Sequence, residues 1–330
     1  MKKNIWIIGG VVVVLLCGIF FFFKEDSFEK KMETLNENMN SYKLEGSMDI
    51  VKGEDIKKYA IEVGYKKSND NDLFRVSITD KELNQTQVIL RNKEGVYVLT
   101  PTLNQIFKFE GDWPLNSLKP YLIQSMNEIL KSDSCVIEKV KEGYKAKSNV
   151  NYPNNPNFKV QEMIFDENAH IRELSIFDES DVLQLAIVFN DTNYEAKLKD
   201  TYFELEKDLK SETSSTLMDE MQMPLYPMHI FDSTLTSAQN MEVATGMKYV
   251  LQYSGDKNFT IVESLRKQSE NTETIIMAGE LIDSIDAFGF YDGNHMQMIM
   301  QGVEYTIYSD DLAPEEMAQI LNSMQVVVMK

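Results

Sequence analysis

Residues 87–104 read QVILRNKEGVYVLTPTLN. Two short apolar runs, Gln87–Leu90 and Val96–Leu99, flank Asn92-Lys93-Glu94-Gly95. Asn and Gly tolerate the backbone angles of a tight reversal, so the stretch reads as a β-hairpin. Ile106–Phe109 follows as another short strand. The same period of two runs upstream. Leu44, Gly46, Met48 and Ile50 alternate with polar residues, as do Tyr59, Ile61, Val63 and Tyr65, and then Phe74, Val76 and Ile78. Successive side chains on a strand point to opposite faces, so the pattern predicts an antiparallel meander with one apolar face.

The period changes on both sides of this meander. Before it, Phe28, Met32, Leu35, Met39 and Tyr42 form one stripe of a helix, with Ser27 as its cap. After it, Asp112-Trp113-Pro114 ends the last strand. Leu118, Tyr121, Leu122, Met126, Ile129 and Leu130 then mark a second helix, with Pro120 in its first turn. Strands resume at Cys135–Lys139, Tyr144–Val150, Gln161–Phe165, Ile171–Phe177 and Val182–Phe189.

Lys207–Met223 is polar, rich in Ser, Thr and Glu, and reads as a linker. The remainder has strand patterns at Tyr249–Tyr253, Phe259–Val262, Thr274–Ala278, Ala287–Tyr291, Met296–Met300 and Val303–Tyr308. A final helix, Pro314–Met324, follows Asp310-Asp311, which read as its cap. The expected organisation is an N-terminal anchor over 1–24, a β-rich domain over 25–206, a linker over 207–223 and a smaller α+β domain over 224–330. The fold class is mainly β with α.

Ile5–Phe23 carries no charged residue, and Lys2 and Lys3 precede it. At about 1.5 Å per residue such a run matches a hydrocarbon core of about 30 Å, and the lysines favour an inside N-terminus. The expected location is the cell membrane, single-pass, with the soluble part extracytoplasmic. Cys17 raises the alternative of a lipidated cysteine. Leu16 precedes it, however, and Ile19–Phe23 continue the apolar run. The net charge of −19, from 33 basic and 52 acidic residues, repels phosphate backbones and excludes a nucleic-acid partner.

The chemistry-bearing residues form no site pattern. His170, His229 and His295 stand far apart without paired ligand spacing, so no metal site is expected. There is no Gly-x-Ser-x-Gly elbow and no phosphate- or dinucleotide-binding glycine loop. The expectation is a non-enzymatic protein without a cofactor. A cell-wall hydrolase acting through a carboxylate pair is the remote alternative. The apolar face of the meander must be covered. Complete cover makes plain core, while partial cover leaves a concave cavity suited to an acyl chain or an apolar peptide. Periodicity leaves both open.

Tyr65-Lys66-Lys67, Phe74-Arg75-Val76, the run from Gln87 to Asn104, Phe107-Lys108-Phe109 and Asp112-Trp113-Pro114 carry a family likeness. Asp200-Thr201-Tyr202-Phe203 adds what looks like a closing-strand signature. Over residues Phe28 to Leu205 the chain resembles the outer-membrane lipoprotein carrier family (LolA and LolB), and more closely its Gram-positive relatives, the sporulation protein YdcC and the germination lipoprotein GerS. The resemblance implies a half-open antiparallel barrel lidded by helices, with an apolar cavity. The wall candidates are Val88, Leu90, Tyr97, Phe107, Phe109 and Trp113, with Arg75 as a polar contact. The alternative for Arg75 is a surface cation paired with a carboxylate.

Two departures matter. Ser68–Asp72 form a polar insertion where the family has a proline, and a full apolar span replaces the usual lipid anchor. A tethered chain does not shuttle between two membranes. The function so implied is a membrane-anchored binding protein that holds an acyl chain or lipoprotein. The alternative implied by the germination relative is a sporulation adaptor that binds a peptidoglycan (cortex) amidase.

Overall fold

The structure is a computed structural model. It describes residues 27–53, 55–69, 72–109, 119–152, 154–205, 223–244, 246–266, 272–277, 279–300 and 302–324. The expected anchor, Cys17, Trp113 and nearly all of the expected linker lie outside these residues. Among the described residues no helix is long and apolar enough to cross a membrane.

The chain forms two compact units, divided between Met39 and Asn40. In the first, α1 (Phe28–Asn38) buries Phe28 and Met32, and the Ser27 hydroxyl accepts from Lys30 N at 3.4 Å. The helix stops before Tyr42, which the helical stripe had included. Tyr42 shares parity with Leu44 and Met48, and the strand that begins at Ser41 buries all three completely.

The second unit holds two sheets. Its elements in chain order are β1 (Ser41–Lys52), β2 (Asp55–Lys66), β3 (Leu73–Asp80), β4 (Gln85–Asn92), β5 (Gly95–Thr100) and β6 (Gln105–Phe109). After α2 (Ile123–Leu130) come β7 (Val136–Val140), β8 (Gly143–Asn149), β9 (Val160–Phe165), β10 (Ile171–Phe177) and β11 (Leu183–Asn193). The rest comprises β12 (Ser233–Val243), β13 (Gly246–Gly255), β14 (Phe259–Leu265), β15 (Glu273–Met277), β16 (Glu280–Asp283), β17 (Phe288–Tyr291), β18 (His295–Met300), β19 (Val303–Tyr308) and α3 (Pro314–Asn322).

The first sheet has the order β15-β6-β5-β4-β3-β2-β1-β11-β10-β9-β8-β7. Two meanders are fused where β1 pairs with β11. The order has two ends, so the sheet is open and does not close into a barrel. Closing it would need β6 to pair with β7, but β6 gives its outer edge to β15. The second sheet runs β12-β13-β14-β19-β18-β17-β16. Its core packs Leu251, Ile261, Met298 and Tyr305 against Met317, Ile320 and Leu321 of α3.

Local chemistry sets the register. Asn92 pairs with Gly95, the Asn92 side chain accepts from Glu94 N at 2.8 Å, and Gly95 sits at φ 141. That angle favours a residue without a Cβ. The cap of α3 differs from expectation. The Glu316 carboxylate accepts from Ala313 N at 2.8 Å, while Asp311 instead accepts from Asn258 N and Nδ2 at 2.9 and 2.8 Å.

Candidate functional site

The strands β3 to β6 are buried on both faces, and the two faces differ in what covers them. On one face Leu73, Val88, Leu90, Tyr97, Leu99 and Ile106 cluster under Phe203, with Leu198, Tyr202 and Leu205 against them. Asp200–Phe203 is a 3₁₀ turn, not the closing strand that its resemblance implied, and it seals this face as a turn.

Arg75 belongs to the same face. Its Nη1 donates to Glu62 Oε1 at 3.3 Å, and its guanidinium carbon stands 5.2 Å from the centre of the Tyr202 ring. The Tyr202 hydroxyl donates to Glu62 Oε1 at 2.6 Å, and Lys43 Nζ lies 3.0 Å from Glu62 Oε2. Burial pushes the Glu62 carboxyl up, but the Tyr202 and Lys43 hydrogen bonds and the Lys43 and Arg75 charges outweigh it. The carboxyl is left below the usual range. Gly64 makes room for this cover, since a Cβ there would come within 2.4 Å of the Tyr202 ring.

Phe107 and Phe109 lie on the opposite face. They pair with Val98 and Val96, whereas Val88 pairs with Leu99 and Leu90 with Tyr97. Directly paired residues share a face, so the expected cavity wall is two walls of one sheet. Val88, Leu90, Tyr97 and Arg75 come together on one side, and Phe107 and Phe109 on the other. Trp113 and Cys17 lie outside the described residues.

The face that carries Phe107 and Phe109 is the inner one, turned toward the second sheet. Phe290 of β17 stacks on Phe109 with centroids 4.4 Å apart, and stands 6.5 Å from Phe107. Just before β17, Asp286 accepts from the Tyr59 hydroxyl at 2.8 Å and from Lys52 Nζ at 3.2 Å. Lys52 Nζ also donates to Asn322 O at 3.2 Å, and Asn322 Nδ2 donates to Ser284 Oγ at 2.7 Å. Burial and the Asp286 charge push the Tyr59 hydroxyl far above its ordinary value. Farther along the same face, the Tyr42 hydroxyl donates to Gln124 of α2 at 2.8 Å.

Little space remains. A cavity of ≈ 80 Å³ lies between the sheets, lined by Tyr59, Ile78, Thr100, Asp286, Ile299 and Tyr305 among others. A more open groove of ≈ 300 Å³ is lined by Ile50, Phe158, Met228, His229, Ile285 and Gln319 among others. Lys52, Asp286 and Asn322 border both. Ligand sites typically occupy about 300–1,000 Å³, so the inner cavity is well short and the groove reaches only the lower bound. The Lys52–Asp286–Tyr59 triad is thus a polar crossing between the sheets. It is built from charge-assisted hydrogen bonds to the Asp286 carboxylate. Among the described residues no group of three or more His, Cys, Asp or Glu is placed to hold a metal ion.

Sequence reasoning missed this triad. Lys52 and Asp286 are separated by 234 positions, and each alone reads as an ordinary surface charge. The one visible hint was Phe288–Tyr291, a short aromatic strand in a chain whose inner face already offered two phenylalanines.

The chain is similar to sporulation protein YdcC of Bacillus subtilis (strain 168). Identity is 24% over 337 residues, spanning 98% of this chain and 97% of that protein. No family model matches. Among solved structures, the MucA/MucB complex of Pseudomonas aeruginosa aligns over 91% of this chain and 98% of that one, at 11% identity and TM-score 0.32. The LolA superfamily protein NE2245 from Nitrosomonas europaea aligns over 55% of this chain and 99% of that one, at 12% identity and TM-score 0.27. At such scores the superposition is too loose to transfer fold detail or function.

Proposed function

We propose that this chain is a non-enzymatic, membrane-anchored extracytoplasmic protein that binds a protein partner at its surface during spore formation. One observation carries the reading. The inner face, where a carrier would keep its apolar cavity, is occupied by Phe290, Asp286 and the end of α3. The ≈ 80 Å³ cavity left between the sheets, small beside the about 300–1,000 Å³ of typical ligand sites, supports this reading. Similarity to a sporulation protein along nearly the whole length supports the process. The uncharged Ile5–Phe23 run behind Lys2 and Lys3 supports the single-pass placement with both soluble parts outside. The partner class that the germination resemblance favours is a cortex amidase.

A second reading keeps a lipid or lipoprotein ligand, but moves it to the groove beside Ile50, Phe158, Met228 and Ile285. Cross-linking of the full-length chain in sporulating cells separates the two. The adaptor reading expects a cell-wall enzyme among the cross-linked products and no stoichiometric lipid in an organic extract of the purified chain. One acyl lipid per chain, with no protein cross-linked, would favour the groove and sink the adaptor.

A further inference from the structure

The outer edge of β6 is closed by a strand from a different part of the chain. The chain leaves the second sheet after β14, pairs with β6 as β15, and returns to the second sheet at β16. The ladder runs from Glu273 opposite Gln105 to Met277 opposite Phe109, and it is the one parallel ladder among the described strands. Glu273 N donates to Asn104 O at 3.3 Å, and Thr272 Oγ1 lies 2.9 Å from Asn104 Oδ1.

The two paired strands are held very differently. In β6 every residue but Lys108 is buried. In β15 none is buried, and Ile276 is 65% exposed. The grip on β15 is therefore mostly backbone hydrogen bonding, with Ile275 and Met277 adding half-buried contact. A well-fixed strand whose edge is covered by a weakly packed one is an edge that another extended segment can take. The backbone groups offered are the same, and the side-chain contacts to be replaced are few.

We infer that β6 is a receiving edge for an extended segment of a partner protein, and that β15 is an internal stand-in which such a segment displaces. The inference rests on the protein-binding reading above and adds its place and chemistry. The segment runs parallel to β6 and puts aliphatic side chains at the two positions that Ile275 and Met277 hold. With a net charge of −19 on the receiver, Lys or Arg in the flanks speeds and steers its approach.

The test uses the full-length chain in detergent micelles and a fluorescent peptide, KKTETIIMKK, which carries residues 272–277 between lysines. Ile275→Pro unseats β15, because proline cannot donate to a ladder. The variant is expected to bind the peptide about ten-fold or more tighter than the wild type, whose own strand competes. The same peptide with proline in place of its first isoleucine is expected not to bind. A variant that keeps the wild-type circular dichroism spectrum and binds the peptide no more tightly overturns the inference.

Hydrogen exchange of the wild type covers the case of a misfolded variant. Amides of Ile275–Met277 are expected to exchange about ten-fold or more faster than those of Val96–Leu99, and equal protection overturns the inference. A wild-type chain that elutes as a dimer by trading β15 between copies overturns it in favour of a second copy. Cross-linking in sporulating cells distinguishes this inference from the reading it rests on. Peptide binding without any cross-linked wall enzyme keeps the edge and removes the adaptor. A cross-linked partner whose capture Ile275→Pro leaves unchanged keeps the adaptor and removes the edge.

Discussion

Two strands of the same sheet, β5 and β7, have different fates. In β5, Val96 to Thr100 are all buried, while β7 has no buried residue and leaves Val136 67% exposed. Both sequences contain aliphatic residues on both faces. The difference lies in what later segments place over them. The 198–205 segment covers one face beside β5, and the region around Phe290 covers the other. Among the described residues nothing comparable covers β7, an end strand of the sheet. In this chain a strand's apolar content tells that it is a strand. Whether its face is core, cavity or surface is decided by segments far away in the sequence.

The contrast can be broken by mutation. Leu90→Ala, on the face sealed by Phe203, is expected to cost about 2–5 kcal/mol in a urea unfolding curve. A cost below about 1 kcal/mol would mean that the cover is loose and the face collapses or admits solvent.

The second sheet offers a charge version of the same burial argument. Glu263 is fully buried on β14, where Oε2 accepts from Leu225 N at 2.9 Å and Oε1 has no hydrogen-bond partner among the described residues. Burial pushes its carboxyl up to about 8. In the unfolded chain the value is about 4.3, so between those values the folded chain holds a proton that the unfolded chain has lost. This contribution is complete below the unfolded value and is lost as pH rises through about 8. The melting temperature of the wild type is expected to fall by several degrees between neutral pH and pH ~9, and Glu263→Gln to flatten that slope. A wild-type slope unchanged in the variant would show that Glu263 is ionised in the fold.

Smaller effects sharpen the picture of the cover. Gly64→Ala puts a methyl against the Tyr202 ring and is expected to cost about 1–3 kcal/mol, most of it relieved when Tyr202→Ala is combined with it. Simple additivity in the double-mutant cycle would mean that Tyr202 does not pack over Gly64. Val136→Ala on β7 is expected to stay within about 0.5 kcal/mol of wild type. A larger loss would mean that β7 is covered after all.

Much of the fold was legible because the period-two pattern from Leu44 to Phe109 is clean. β12 was not, since Ser233–Val243 reads STLTSAQNMEV, with no alternation, and it is exposed on almost its whole length. Tyr42 fitted both a helical stripe and a strand, and only its complete burial in β1 decides between them. The site was less legible. The Asn92–Gly95 turn fixes the pairing of β4 with β5, but the 3₁₀ turn Pro101–Leu103 before β6 leaves the parity of Phe107 and Phe109 undetermined from sequence. Arg75 was visible as an arginine in a strand, yet its Glu62 partner and the Tyr202 ring arrive from a neighbouring strand and a distant turn.

The central claim is that the inner face of the twelve-stranded sheet is filled by the chain itself. Native mass spectrometry of the full-length protein released from detergent tests it most directly. The account predicts the mass of the bare chain. A retained acyl lipid at one per chain, lost when Phe290→Trp enlarges the side chain packed on Phe109, would contradict it.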